Sequence, residues 1–137
     1  IKGGIAHMLG AHCLDRSIRF ASIGNYLIKQ QIDEAGAEPD DCFVFGENLR
    51  ERHPPDLVIE VVWTSGGIDK LEIYKRLRVP EVWFWERDEL AVYVLGPAGY
   101  ERRDTSTCLP DLDLPVVCEA LHLESANDMI ARMRAGR

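Results

Sequence analysis

The chain lacks any apolar run long enough to cross a membrane, so a helical membrane span is excluded. It lacks a CxxC pair. Its four cysteines, Cys13, Cys42, Cys108 and Cys118, are scattered, which argues against a zinc knuckle. A disulfide framework is not expected either, because 137 residues can bury a real core without one. The thiols are therefore expected to be reduced and mostly packed, in a cytoplasmic protein. Basic residues are in deficit: 16 Lys and Arg stand against 23 Asp and Glu, a net charge of −7. That balance argues against an extended basic surface for non-specific nucleic-acid binding. It leaves room for a local basic patch, and carboxylates gathered around a metal would themselves tilt it acidic. There is no internal repeat, low-complexity tract or linker, so residues 1–137 read as one domain. An initiating Met is missing too. The first residue is Ile, and the chain reads as lacking its native N-terminal segment.

What is present is organised around Pro55 to Leu77. Pro55-Asp56-Leu57-Val58-Ile59-Glu60-Val61-Val62-Trp63 reads as one strand whose apolar residues run through both parities. That is the pattern of a strand buried on both faces. Glu60 stands in the middle of it, where an unpaired carboxylate would cost roughly several kcal/mol. Thr64-Ser65-Gly66-Gly67 is a turn, and Ile68 to Arg78 reads as a helix. At about 100° per residue, Ile73, Leu77, Tyr74 and Leu71 share one side, and Lys70 falls inside that apolar stripe. The strand thus offers an inward Glu and the next helix an inward Lys. A helix turning back along its strand would bring the two into contact. Taken as residue types alone, an ion pair of purely structural role is as good a reading as a functional one.

Elsewhere, Ile5, Met8, Leu9, His12 and Cys13 follow helical spacing, with His12 as a core histidine. Ile18 to Ile28 reads as extended and Lys29 to Gly36 as a loop. Glu38-Pro39-Asp40-Asp41 leads into a short buried strand, Cys42 to Phe45. Val82 to Trp85 and Leu90 to Leu95 form a hairpin, Tyr100 to Arg103 an edge strand, and Leu109 to Pro115 an irregular stretch. Ser125 to Arg134 closes the chain as a helix with a capping box of Ser125 and Asp128. The expected fold class is α/β in the α+β sense: a mixed sheet flanked by helices.

Asp40 opens one buried strand and Glu60 lies twenty residues on, in the next. If those strands pair, two hard oxygen ligands sit side by side, a set that suits Mg²⁺ with water and phosphate completing its shell. Lys70 could orient a water or stabilise charge developing on phosphorus. Asp56 shares parity with Glu60 but lies about 13 Å along the strand, too far for one metal. Asp41 is the fallback should the register slip by one.

These residues carry a resemblance. Glu38-Pro39-Asp40, then Pro54-Pro55-Asp56-Leu57-Val58-Ile59-Glu60-Val61, then Asp69-Lys70-Leu71-Glu72-Ile73-Tyr74, then Val79-Pro80-Glu81-Val82-Trp83 resemble the Uma2 family of restriction endonucleases, placed in the PD-(D/E)XK nuclease superfamily. The resemblance covers about Ile18 to Leu121. It implies a restriction-endonuclease-like core and a Mg²⁺-dependent nuclease (Mn²⁺ serving as a possible substitute) acting on DNA. By that resemblance Asp40 is the first acidic ligand and Glu60 the second, and Asp56 occupies a motif position of the site. The superfamily's lysine normally stands two residues after the Glu, where this chain has Val62; the family pattern offers Lys70 as a migrated replacement. The superfamily's first-helix acidic residue has no evident counterpart here.

The sequence therefore supports a Mg²⁺-dependent DNA endonuclease with Asp40, Glu60, Lys70 and Asp56 as candidate site residues. A homodimer is the simplest way to cut both strands of a duplex. The competing reading is a nuclease-fold domain without catalysis, used for binding or assembly. There Glu60 and Lys70 are a structural pair, and losing either costs roughly 3–5 kcal/mol. A phosphoesterase acting on something other than DNA would use the same residues.

Overall fold

The computed structural model describes residues 2–22, 39–51, 54–62 and 67–135. Six strands, β1 (Phe20–Ser22), β2 (Asp41–Phe45), β3 (Leu57–Val61), β4 (Glu81–Glu86), β5 (Glu89–Gly96) and β6 (Gly99–Arg103), form one sheet in chain order. Among the described strands only β3 and β4 pair in parallel; every other neighbouring pair is antiparallel. A parallel pair needs a crossover, and α2 (Gly67–Arg76) supplies it. Among the described residues the other α-helices are α1 (Lys2–Asp15), α3 (Leu114–Ala120) and α4 (Ala126–Ala135). This is the α+β, mixed-sheet architecture of a restriction-endonuclease-like fold.

The sheet has a core on each face. Phe43, Leu57, Ile59, Trp83, Trp85 and Val92 pack with α1, α3 and α4 residues such as Met8, Leu9, Val117 and Met133. On the other face Cys42, Val58, Val82 and Phe84 pack with Tyr74 of α2 and with Val79. Strand β3 is therefore covered from both sides, which explains why its apolar residues do not alternate. Glu60 shares parity with Val58, so it belongs to the α2 face. Helices α1 and α4 approach closely at Gly4, where an added Cβ would lie 2.8 Å from Met129 Sδ. Asp15 and Arg134 join the same two helices through bonds of 2.9 and 3.0 Å.

Most elements lie where periodicity places them. His12 is buried in α1, and Trp83 is fully buried, so the β4–β5 hairpin turns its large aromatic into the core. Ser125 caps α4 through the Asp128 N–H at 3.0 Å. Of the stretch expected to be extended from Ile18 to Ile28, the structure gives a strand over Phe20–Ser22, with Ile18 and Arg19 leading into it; the part from residue 23, with the loop that follows, lies outside the described residues. One expectation is corrected. Leu109 to Pro115 is not irregular throughout, because helix α3 begins at Leu114. Asp113 caps it by accepting from Val116 N at 3.2 Å, and Pro115 sits in the first turn, where a missing N–H costs nothing.

Candidate active site

Antiparallel register sets the site's geometry. The pairs Asp41↔Ile59, Cys42↔Val58 and Phe43↔Leu57 fix the alignment of β2 on β3. Continued by one residue, that register puts Asp40 directly opposite Glu60. The Asp40 carboxylate is held there, its Oδ2 accepting from Val61 N at 2.6 Å. Asp41, one residue on, points elsewhere and accepts from Ser22 Oγ at 2.8 Å and Cys42 N at 2.9 Å.

Glu60 is 1% exposed. Lys70 reaches it from the first turns of α2, donating from Nζ to Oε1 at 2.9 Å. The lysine is less enclosed than its partner: its side chain is 42% exposed against 2% for Glu60. Lys70 therefore spans from the buried carboxylate out to solvent, with N–H donors to spare. Burial pushes the Glu60 carboxyl above its ordinary value, and the Asp40 charge adds to this; Lys70 and, more weakly, Tyr74 pull it down.

Tyr74, one helical turn after Lys70, brings its hydroxyl to the same carboxylate. The side chain is fully buried, and burial, then the Glu60 charge, push its hydroxyl well above the usual tyrosine range. The hydroxyl and the carboxylate lie within hydrogen-bonding range of each other, which helps pull Glu60 down and push Tyr74 up. Yet neither Glu60 Oε2 nor the Tyr74 hydroxyl makes a hydrogen bond of good geometry. These are the two buried side-chain polar atoms without a hydrogen-bond partner among the described residues. Cys42 borders the same spot; burial first, then the Asp41 and Glu60 charges, push its thiol up to about 12, so it stays protonated and packs.

The structure thus brings Asp40, Glu60 and Lys70 together. It does not bring Asp56 to them. Asp56 lies at the other end of β3, where its Oδ2 accepts from Phe45 N at 2.9 Å and its own N–H donates to Phe43 O at 2.9 Å. Those bonds clamp β2 to β3 and hold the register that aligns Asp40 with Glu60. Val62 contributes its N–H to Trp85 O at 2.8 Å, extending the β3–β4 ladder, and has no polar side chain to offer. Among the described residues no group of three His, Cys, Asp or Glu gathers as a metal cage. The surface cavity of about 380 Å³ lined by Cys13, Leu14, Ile18 and Phe20 shares no residue with this site.

Another buried carboxylate went unread in the sequence. Glu81, 0% exposed, accepts from Trp83 Nε1 at 2.6 Å, Ser106 Oγ at 2.5 Å, Thr107 N at 2.8 Å and Cys108 N at 3.1 Å. It fastens the segment after β6 to the start of β4. Four donors saturate it, whereas Glu60 keeps an oxygen to spare. That difference separates a structural carboxylate from a candidate ligand.

A family model, Uma2, with the description "putative restriction endonuclease", matches residues 1–129 of the 137. No curated protein and no solved structure matches the chain. No helix among the described residues is long and apolar enough to cross a membrane.

Proposed function

The chain belongs to the Uma2 family, and from that premise we propose that it is a Mg²⁺-dependent endonuclease that hydrolyses phosphodiester bonds of DNA, using Asp40, Glu60 and Lys70. The observation that carries this reading is Glu60 Oε2, a buried carboxylate oxygen without a hydrogen bond of good geometry, on the strand position opposite Asp40. A fully buried carboxylate that only held the fold would be saturated, as Glu81 is. An oxygen left over beside a second carboxylate fits a hard divalent cation, and one or two carboxylates are what Mg²⁺ ordinarily takes from a protein. Asp40 and Glu60 would hold it, and the bound ion supplies Lewis-acid polarisation of the phosphate and an acidified water.

The protein's own groups do the rest. The Val61 N–H fixes the Asp40 carboxylate. Lys70 orients Glu60 and keeps its remaining donors at the solvent edge, where a phosphodiester approaches and negative charge develops. A lysine entering from the helix takes over a place that Val62 cannot fill on the strand. Duplex cleavage would need two such sites, so the proposal includes a symmetric dimer.

A second reading is favoured by one observation. The ammonium of Lys70 is already engaged by Glu60, and no third metal-binding side chain gathers among the described residues. On this reading the chain is a nuclease-fold domain without catalysis, used for binding or assembly. Plasmid cleavage at low salt with Mg²⁺ or Mn²⁺ decides between them, run beside folded Glu60→Ala and Lys70→Ala proteins. Nicking by the parent that both substitutions abolish is the expected result. Cleavage that survives in both would locate the chemistry elsewhere, and a parent that neither binds metal nor cleaves would leave the silent domain.

A further inference from the structure

We propose that Tyr74 is a positioning residue for the metal site: its hydroxyl, with Lys70 one turn earlier on the same face of α2, holds the Glu60 carboxylate in its ligating orientation. This rests on the reading of Asp40 and Glu60 as the metal ligands.

Tyr74 sits 0% exposed among Cys42, Val58, Val79, Val82 and Phe84. A phenylalanine would fill the same space without a polar atom to satisfy. A buried hydroxyl without a good partner is destabilising, and an apolar isostere in its place can be neutral or favourable. A second tyrosine of this core shows the ordinary solution: the Tyr100 hydroxyl donates to Val79 O at 2.6 Å. Tyr74 has no such bond. Its hydroxyl reaches the Glu60 carboxylate, whose Oε2 is the other buried side-chain atom without a hydrogen bond of good geometry among the described residues.

Two unmet groups side by side make sense if their partnership is completed in the loaded site. Lys70 and Tyr74 are four residues apart, so both project from one helix face onto one carboxylate. Lys70 holds Oε1. The hydroxyl is a rotor with one donor, and the carboxylate is the acceptor within its reach. Hydrogen bonds to a ligating carboxylate fix its orientation, and losing such a partner typically costs 10- to 100-fold in metal affinity.

The test compares Mn²⁺ binding by calorimetry with thermal unfolding in EDTA for the parent, Tyr74→Phe and Tyr100→Phe, all in the full chain. Tyr74→Phe should unfold at or above the parent's temperature without metal, yet bind Mn²⁺ about 10- to 100-fold more weakly. Tyr100→Phe should do the opposite, losing thermal stability while keeping its Mn²⁺ affinity. Unchanged Mn²⁺ affinity in Tyr74→Phe overturns the proposal for Tyr74 while leaving the metal site standing. Equal weakening in both variants also overturns it, since that would report loosened packing. A parent that binds no Mn²⁺ removes the metal site itself, and Tyr74's role with it.

Discussion

Replacing Lys70 by Met tests the central ion pair, because its cost should depend on pH in one direction only. The substitution keeps most of the aliphatic stem and removes the ammonium bonded to Glu60 at 2.9 Å. Breaking a fully buried pair costs about 3–5 kcal/mol. Lys70 is 42% exposed, however, so water already screens its charge. A hydrogen bond to a charged group, taken toward its lower end, then gives about 1–2 kcal/mol. The sign follows from Glu60. Its folded-state carboxyl is raised above the ordinary 4.5, chiefly by burial, and Lys70 is the main influence pulling it back. Without Lys70 it rises further. Below the ordinary value Glu60 is protonated in every state, and the two proteins differ little. As pH rises through the parent's folded value, the parent ionises first and the gap opens by at most about 1.4 kcal/mol per pH unit. It levels off once the variant ionises too. The raised carboxyl also means that each metal-free protein loses stability as pH rises through its own folded value. Urea unfolding at half-unit steps between about pH 4 and 9 with EDTA present measures this directly. A gap that is constant with pH, or that widens toward acid, refutes the assignment of Lys70 as the partner of a buried, ionised Glu60.

Two further outcomes are expected. Glu81→Ala strands four donors in the core and should cost about 3–5 kcal/mol, with early amide exchange over residues 106–109; a loss below about 1 kcal/mol would show that the segment is anchored otherwise. Asp56→Ala removes the clamp on Phe45 N and should lower stability by about 1 kcal/mol in a urea titration, while Mn²⁺ affinity measured by calorimetry stays that of the parent. Lost metal binding in a folded Asp56→Ala protein would put Asp56 back among the site residues.

The parts of the fold that could be read in advance are those where a residue breaks its local pattern. Glu60 interrupts a doubly apolar strand and Lys70 an apolar helix face, and two such anomalies in adjacent elements find each other at 2.9 Å. Asp40 could be matched to Glu60 because antiparallel pairing makes alignment a matter of counting. What escaped lies where the partner is remote or the pattern is ordinary. Glu81 follows a proline and looks like a turn residue; its three donors beyond β4 lie 25 to 27 positions away and meet it only in the folded chain. Tyr74 fits its apolar stripe so well that nothing marks its hydroxyl. Helix α3 did have a local mark, the Asp113 cap followed by Pro115, hidden among neighbouring prolines and aspartates. Magnitude escaped too: losing Lys70 looked as costly as breaking a fully buried pair, and its 42% exposure lowers that figure.

The strands of this sheet lie side by side in the order in which they are synthesised. Every sheet contact therefore closes between segments that are consecutive along the chain, so assembly can proceed by successive short closures. The longest-range closure is the joining of the two ends, where Asp15 meets Arg134 across 119 positions. That closure carries the largest entropy cost, and it should be the last step to form and the first to open. The carboxylate pair lies in the consecutively closed part. A molecule whose ends have come apart would thus still hold Asp40 against Glu60, and the carboxylate pair would outlast the loss of its terminal helices' grip on each other.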